Sequence, residues 1–178
     1  GKATGSEYFG VTPDIITCAK GLTNATIPMG ATIVQDYIYE SMLENADAPI
    51  ELFHGYTYSG HPVACAAALA TLDIYKEEGL FEHAGEQAPK IEKAAHSLKG
   101  TKHIVDIRNL GVIAALELEP RGNAVGARGF EVMKKAWDMG LMVRANGDTL
   151  AFSPPLIVQD SQIDEMFTTV KSALEQVD

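Results

Sequence analysis

Cysteine, tryptophan and basic charge are all scarce in this chain of 178 residues. Its two cysteines, Cys18 and Cys65, lie far apart inside apolar stretches. They form neither a C-x-x-C pair nor a disulfide framework, and read as small core residues in a reducing compartment. Lysine and arginine number 14 against 24 aspartates and glutamates, for a formal net charge of −10 and a pI near 4.9. That balance excludes nucleic acid and anionic membrane as primary partners. No apolar run approaches the roughly 20 residues that span a bilayer. The first residues also lack the charged-then-apolar pattern of a secretory signal, so cytoplasmic residence is the expectation. Internal repeats and low-complexity tracts are missing, as is an initiator methionine ahead of Gly1.

What is present is an ordinary globular mixture, 46% hydrophobic and 21% charged, with ample material for a core. Ile15–Ala19 is a short apolar run opened by Pro13-Asp14 and closed by Lys20-Gly21, which reads as a buried strand. Gly30–Val34 reads as a second strand, 36–43 as a short helix and 45–49 as a polar loop. Pro62 opens a long alanine-rich helix that Gly79 stops. A further helix is expected over 80–98, broken or kinked near Pro89. Strands follow at 103–108 and 112–118, then an amphipathic helix over 127–139 ended by Gly140. Residues 141–144 and 149–152 suit a hairpin across Ala145–Asp148. Asp160 begins a last helix with Ile163, Phe167, Val170 and Leu174 on one face.

Three segments bear chemistry. A lysine at the end of a strand, as Lys20 is, places its amine where an α/β sheet usually presents a ligand site. The plain alternative is a surface lysine. His54-Gly55-Tyr56-Thr57-Tyr58-Ser59-Gly60-His61-Pro62 combines a hydroxyl, a glycine turn and a helix start. Together these suit a phosphate, although the local sequence by itself favours an ordinary helix N-cap. Arg144, at the end of Leu141–Val143, carries a planar fork matched to a carboxylate, or is a surface charge. His54 and His61 have no metal-ligand spacing and no accompanying ligand set, so no metal is expected. His83, His96 and His103 read as surface positions.

The ordered string Gly5-Ser6-Glu7-Tyr8-Phe9-Gly10-Val11-Thr12-Pro13-Asp14, Ala19-Lys20-Gly21-Leu22 and Pro28-Met29-Gly30-Ala31 closely resembles the cofactor-lysine segment of class III pyridoxal-phosphate aminotransferases. The resemblance implies that Lys20 forms a Schiff base with pyridoxal 5'-phosphate. It implies that Thr57 reaches the cofactor phosphate of a neighbouring subunit, and that Arg144 binds the substrate carboxylate. Tyr56–Pro62 and Gly147-Asp148-Thr149 are most similar to the ω-amino acid:pyruvate (β-alanine:pyruvate) subgroup. One position departs: some β-alanine enzymes carry a glutamine where this chain has Ala151, which widens the expected range of ω-amine donors.

The fold class implied is α/β. Residues 1–99 would be the end of a fold-type I large domain with connecting helices, and residues 100–178 a small C-terminal α+β domain. Family members are more than twice this length, so the chain is expected to be a C-terminal fragment. The acid that faces the pyridine nitrogen, the ring-stacking aromatic and the main phosphate loop would lie upstream of Gly1, leaving the fragment alone inactive. The reaction implied is transfer of an amino group from an ω-amino acid or amine to a 2-oxo acid, pyruvate, by a homodimer or homotetramer. An aminomutase or decarboxylase of the same fold, or a non-catalytic dimerisation module derived from it, are the competing readings.

Overall fold

The computed structural model describes residues 1–46, 49–50 and 52–178. They form two compact units, Ala3–Gly79, and Leu80–Asp178 with Gly1–Lys2. The polar loop expected over 45–49 lies partly outside the described residues.

The first unit opens with a helix the sequence pattern does not announce, α1 (Gly5–Phe9). Five residues are too few for a helical period to register. The Thr4 hydroxyl caps it by accepting from the Glu7 amide at 3.2 Å. Strands β1 (Ile15–Ala19) and β2 (Gly30–Val34) pair antiparallel, from Ile15 with Val34 to Ala19 with Gly30. The open end of this ribbon is tied to α2 (Asp36–Glu44): the Tyr37 hydroxyl donates to Asp14 Oδ1 at 2.6 Å. That bond to a carboxylate raises the Tyr37 phenol above its ordinary pKa. β1 is not the buried strand its composition suggests, since its residues alternate between exposed and half-buried. A two-stranded ribbon has no interior strand, so its apolar residues gain little burial from the sheet itself. Helix α3 (Pro62–Glu77) starts at Pro62 as expected, and Gly79 follows it with φ +59°. It buries Ala64, Ala68 and Thr71, a stripe at helical spacing.

The second unit is built on a four-stranded antiparallel sheet in the order β3 (Ile104–Leu110), β4 (Ile113–Leu118), β6 (Thr149–Phe152), β5 (Arg144–Asn146). Helices α4 (Leu80–His96), α5 (Ala127–Asp138) and α6 (Asp160–Leu174) supply most of the rest of its core, with Leu98, Val143, Val158 and Val177 from the connections and the C-terminal end. Period-two alternation aims Ala114, Leu116 and Leu118 of β4 and Leu150 and Phe152 of β6 into that core. The expected face of α6 is buried throughout: Ile163, Phe167, Val170 and Leu174. Helix α4 runs through Pro89 without a break, and its Ile91 and Ala95 are fully buried among these residues. That burial groups α4 with the second unit, whereas the sequence reading joined residues 80–99 to the first.

The starts of one helix and one strand differ from expectation. The N-cap of α6 is Gln159, one residue early, whose amide donates to the Gln162 side-chain oxygen at 2.9 Å. Strand β5 begins at Arg144 and covers three residues, later and shorter than the hairpin arm expected from 141. Cys18 and Cys65 are free and half-buried rather than core.

Candidate active site

Ala19 is the last paired residue of β1, and the chain then leaves the ribbon through a 3-10 turn, Lys20–Leu22. Lys20 itself has φ +52°, in the left-handed region where L side chains are uncommon. Asn24 and Ala25 share that region at +48° and +59°. Such a run persists only where neighbouring bonds over-determine it, and here they do. The Lys20 carbonyl accepts from the Thr23 and Ala25 amides at 3.3 and 3.2 Å. The buried Thr23 hydroxyl donates to the Ile27 carbonyl at 2.6 Å, and Thr26 Oγ1 donates to the Thr23 carbonyl at 2.7 Å. From α3 the Tyr75 hydroxyl donates to the Gly21 carbonyl at 2.7 Å. The lysine side chain is exposed and, among the described residues, makes no ion pair.

The two glycine-bearing motifs of this unit meet. Pro28, Met29 and Gly30 share the lining of one cavity of about 560 Å³ with Thr57, Ser59 and His61. Lys20 is not part of that lining, although Ala19 beside it pairs with Gly30. Thr57 is exposed, and its hydroxyl has no hydrogen-bond partner among the described residues. Gly60 takes φ +70°, which turns the backbone towards the helix start. The cap of α3 is neither hydroxyl of the motif but the imidazole of His61, whose Nδ1 accepts from the Ala64 amide at 3.4 Å. Thr57 and Ser59 are thereby left out of the capping role the plain reading offered them. His54 packs edge-on to Tyr56, ring centroids 4.9 Å apart. Among the described residues no group of three or more His, Cys, Asp or Glu is placed to hold a metal ion. Nor is any helix there long and apolar enough to cross a membrane.

In the second unit Arg144 stands on the edge strand β5. Ala145 packs on the core, so strand alternation turns Arg144 to the opposite face. Its partner across the hairpin is Ala151, which in turn pairs with Ala115 and that with Arg108. Two arginines thus flank two alanines in one row. The Arg108 guanidinium is engaged at 2.6 Å by both Asp106 and Glu117. Those hydrogen bonds, Glu117 first, raise its pKa. Arg121 bonds Glu131, and Arg128 bonds the Glu119 carbonyl. Among the described residues Arg144 is the arginine whose side chain has no such partner. It borders a cavity of about 410 Å³ with Met142, Ala151, Phe152, Pro154 and Met166. Of the sequence-singled histidines, His96 is exposed, whereas His83 and His103 are half-buried against the Val158 and Val177 carbonyls.

One residue in the quoted motifs has a function that spacing did not disclose. Asp148 is buried, and its carboxylate accepts from the backbone amides of Gly126 at 2.6 Å and Gly129 at 2.9 Å, at the start of α5. The available signal was a helix preceded by glycine, with no side chain of its own to cap it.

Residues 1–174 match the sequence model of the family described as aminotransferase class-III. The chain is 53% identical over 173 residues to an omega-aminotransferase of Caulobacter vibrioides, covering 97% of this chain and 39% of that protein. It is 44% identical to a beta-alanine–pyruvate aminotransferase of Pseudomonas aeruginosa, covering 99% of this chain and 40% of that one. It therefore spans about 40% of the length of these curated relatives. In three dimensions it is similar to the omega transaminase of Pseudomonas jessenii in complex with PMP. There the TM-score is 0.91 at 33% identity, over 98% of this chain and 40% of that one. The match carries the fold-type I assignment with it. By sequence and by fold, the chain belongs to the pyridoxal-phosphate-dependent class III aminotransferases.

Proposed function

We propose that the complete protein transfers an amino group from an ω-amino acid or ω-amine to pyruvate. The observation that carries this reading is the guanidinium of Arg144, unpartnered among the described residues, beside a row of small residues and an apolar cavity. A planar cation with no internal acid partner is suited to a substrate carboxylate, which it grips through two parallel hydrogen bonds. The alanines leave room for the chain that the carboxylate ends.

The residues present fit the family's cofactor, on the chemistry of the donor set. Lys20 offers an amine that no acid of the described residues neutralises, fixed at its Cα by a bonded turn. Thr57 offers a hydroxyl without a hydrogen-bond partner among the described residues, near a helix start whose positive end favours phosphate. Pyridoxal phosphate supplies the electron sink when bound. Lys20 would hold it through Nζ, and as a free amine Nζ carries the proton removed from the amine-bearing carbon of the donor. Thr57 would hold a phosphate through its hydroxyl, that of the neighbouring subunit in a homodimer or homotetramer. Arg144 orients donor and acceptor by their carboxylates and takes no part in the proton transfer.

The test uses the complete protein with β-alanine and pyruvate. Lys20→Ala should abolish turnover. Arg144→Ala should raise KM for β-alanine and pyruvate by about 2–5 kcal/mol of lost binding, as for a truncated charge pair. An amine donor without a carboxylate should lose much less in the half-reaction that aminates the cofactor. Arg144→Lys should recover only part, because the ammonium keeps the charge and loses the fork. Release of carbon dioxide, or an intramolecular amine shift without alanine formation, would replace this reading with the decarboxylase or aminomutase.

A further inference from the structure

The strand that carries Arg144 has a short hold on the sheet, although β6 beside it is an interior strand. β5 is an edge strand of three residues and pairs only with β6. Beside the pairing with β6 and the packing of Ala145 on the core, a further hold lies at the tip of the β5–β6 hairpin. Gly147 turns the chain with φ +59°, and Asp148 follows, buried at 7% exposure. Asp148 Oδ2 accepts from the Gly126 amide at 2.6 Å, and Oδ1 from the Gly129 amide at 2.9 Å. Both amides are among those a helix start leaves without an intrahelical partner, and α5 has no capping side chain of its own. A carboxylate between two such donors makes charge-assisted bonds and meets the positive end of the helix. The Asp148 carbonyl in turn accepts from the Leu118 amide of β4 at 2.9 Å.

The approach is closed by glycine. A Cβ on Gly129 would overlap the Gly147 carbonyl oxygen and lie 2.9 Å from the Asp148 Cα. Gly126, with φ +86°, has the Gly147 Cα 3.5 Å from where its own Cβ would be. The approach of helix start and hairpin tip therefore leaves no room for a side chain at 129, and at 126 the positive φ favours glycine.

We infer that Asp148 is a positioning residue for the substrate-carboxylate site: it latches the β5–β6 tip onto α5 and thereby sets where Arg144 presents its fork. This rests on the carboxylate reading of Arg144. Arg144 opens the three-residue strand that runs into the turn holding Asp148, so release of the latch lets the edge strand shift. A displacement of about 1 Å in a positioning group is enough to cost on the order of 100-fold.

The experiment compares Asp148→Asn, Asp148→Ala and Arg144→Ala in the complete protein. Asparagine keeps the shape but turns an amino group towards one of the two amides, so it cannot accept from both. Binding of propionate, a carboxylate with no amine to react, is measured by calorimetry, alongside KM and kcat for β-alanine and for a donor without a carboxylate. The inference expects propionate affinity to fall about 10- to 100-fold in Asp148→Asn. KM for β-alanine should rise by a similar factor, with a much smaller change for the uncharged donor. Gly129→Ala, which forces the tip away without touching a charge, should give the same selective loss. Equal losses for both donors, or unchanged propionate affinity, in a folded Asp148→Asn would overturn it and leave Asp148 as a helix cap only. If Arg144→Ala also fails to separate the donors, the carboxylate reading itself falls, and this inference with it. If Arg144→Ala separates them and Asp148→Asn does not, only the latch is refuted.

Discussion

Residues 3–79 and 80–178 are stabilised in different ways. The second unit buries a continuous set of side chains drawn from α4, β4, α5, β6 and α6, with Ile91, Leu116, Val132, Leu150, Val170 and Leu174 all at 0% exposure. Among the described residues of the first, only Thr23, Ala64, Ala68 and Thr71 reach burial, while Phe9, Ile15, Tyr37, Phe53 and Leu69 stay exposed. Its order comes from hydrogen-bonded turns: Thr4 on α1, Thr23 and Tyr75 around the lysine turn, His61 on α3. Yet this weakly buried unit carries Lys20 and Thr57. That exposure belongs to a chain spanning about 40% of its relatives' length, whereas the second unit packs a core within residues 80–178 and carries Arg144 on its edge strand.

The comparison breaks most directly by separation. Expressed alone, residues 80–178 should unfold in one cooperative thermal transition, with stability in the ordinary range of about 5–15 kcal/mol for a domain of this size. Residues 3–79 alone should show none, since small alanine and threonine burial does not offset the entropy of ordering the chain. A sigmoidal melt of residues 3–79, followed by circular dichroism, would show that bonded turns suffice without a core.

A pair of substitutions sharpens the same contrast at smaller magnitude. Phe167 is 3% exposed, and its ring lies 4.9 Å from that of Phe152. Phe167→Ala should therefore cost about 3–5 kcal/mol in denaturant unfolding of the 178-residue chain. Leu69 is 64% exposed, so Leu69→Ala should stay within about 0.5 kcal/mol. A large effect at Leu69 would mean that its helix face is covered after all.

What could be read from the sequence follows the same division. In the second unit periodicity sufficed for the buried face of α6, for β4 and for the stop of α5 after Asp138, because packing imposes that periodicity. In the first unit the position of Lys20 at the end of a strand was legible from Pro13-Asp14 and Lys20-Gly21, but burial of that strand was not. Burial depends on what covers a face, and the sequence of a two-stranded ribbon does not encode a third layer. The five-residue α1 and the His61 cap escaped because short elements and imidazole caps leave no periodic trace. Asp148 escaped for another reason: its amide partners lie 22 and 19 residues away along the chain, a distance that only the fold brings together.

The smallest effect tests whether an exposed ion pair contributes to the second unit. Lys90 Nζ on α4 donates to Asp160 Oδ1 on α6 at 2.7 Å, and both side chains are well exposed. The hydrogen bond to Lys90 is the chief cause that lowers the Asp160 carboxyl below its ordinary pKa, with Gln87 assisting. A lowered folded-state pKa means that the folded chain binds the proton less readily than the unfolded one. The stabilisation is therefore complete above the unfolded value, near 3.8, and is lost as pH falls through the lower folded value. Lys90→Gln should reduce the melting temperature slightly at pH 7, and the difference from wild type should vanish in acid below that range. It should also shrink in high salt, which screens exposed pairs. Asp160→Asn should lose more than Lys90→Gln at pH 7, because Asp160 also faces the positive end of α6 from its first turn. Equal losses for the two variants would assign the whole effect to the pair and none to the helix end, and no loss in either would mean that this exposed pair adds nothing to the packing of α4 on α6.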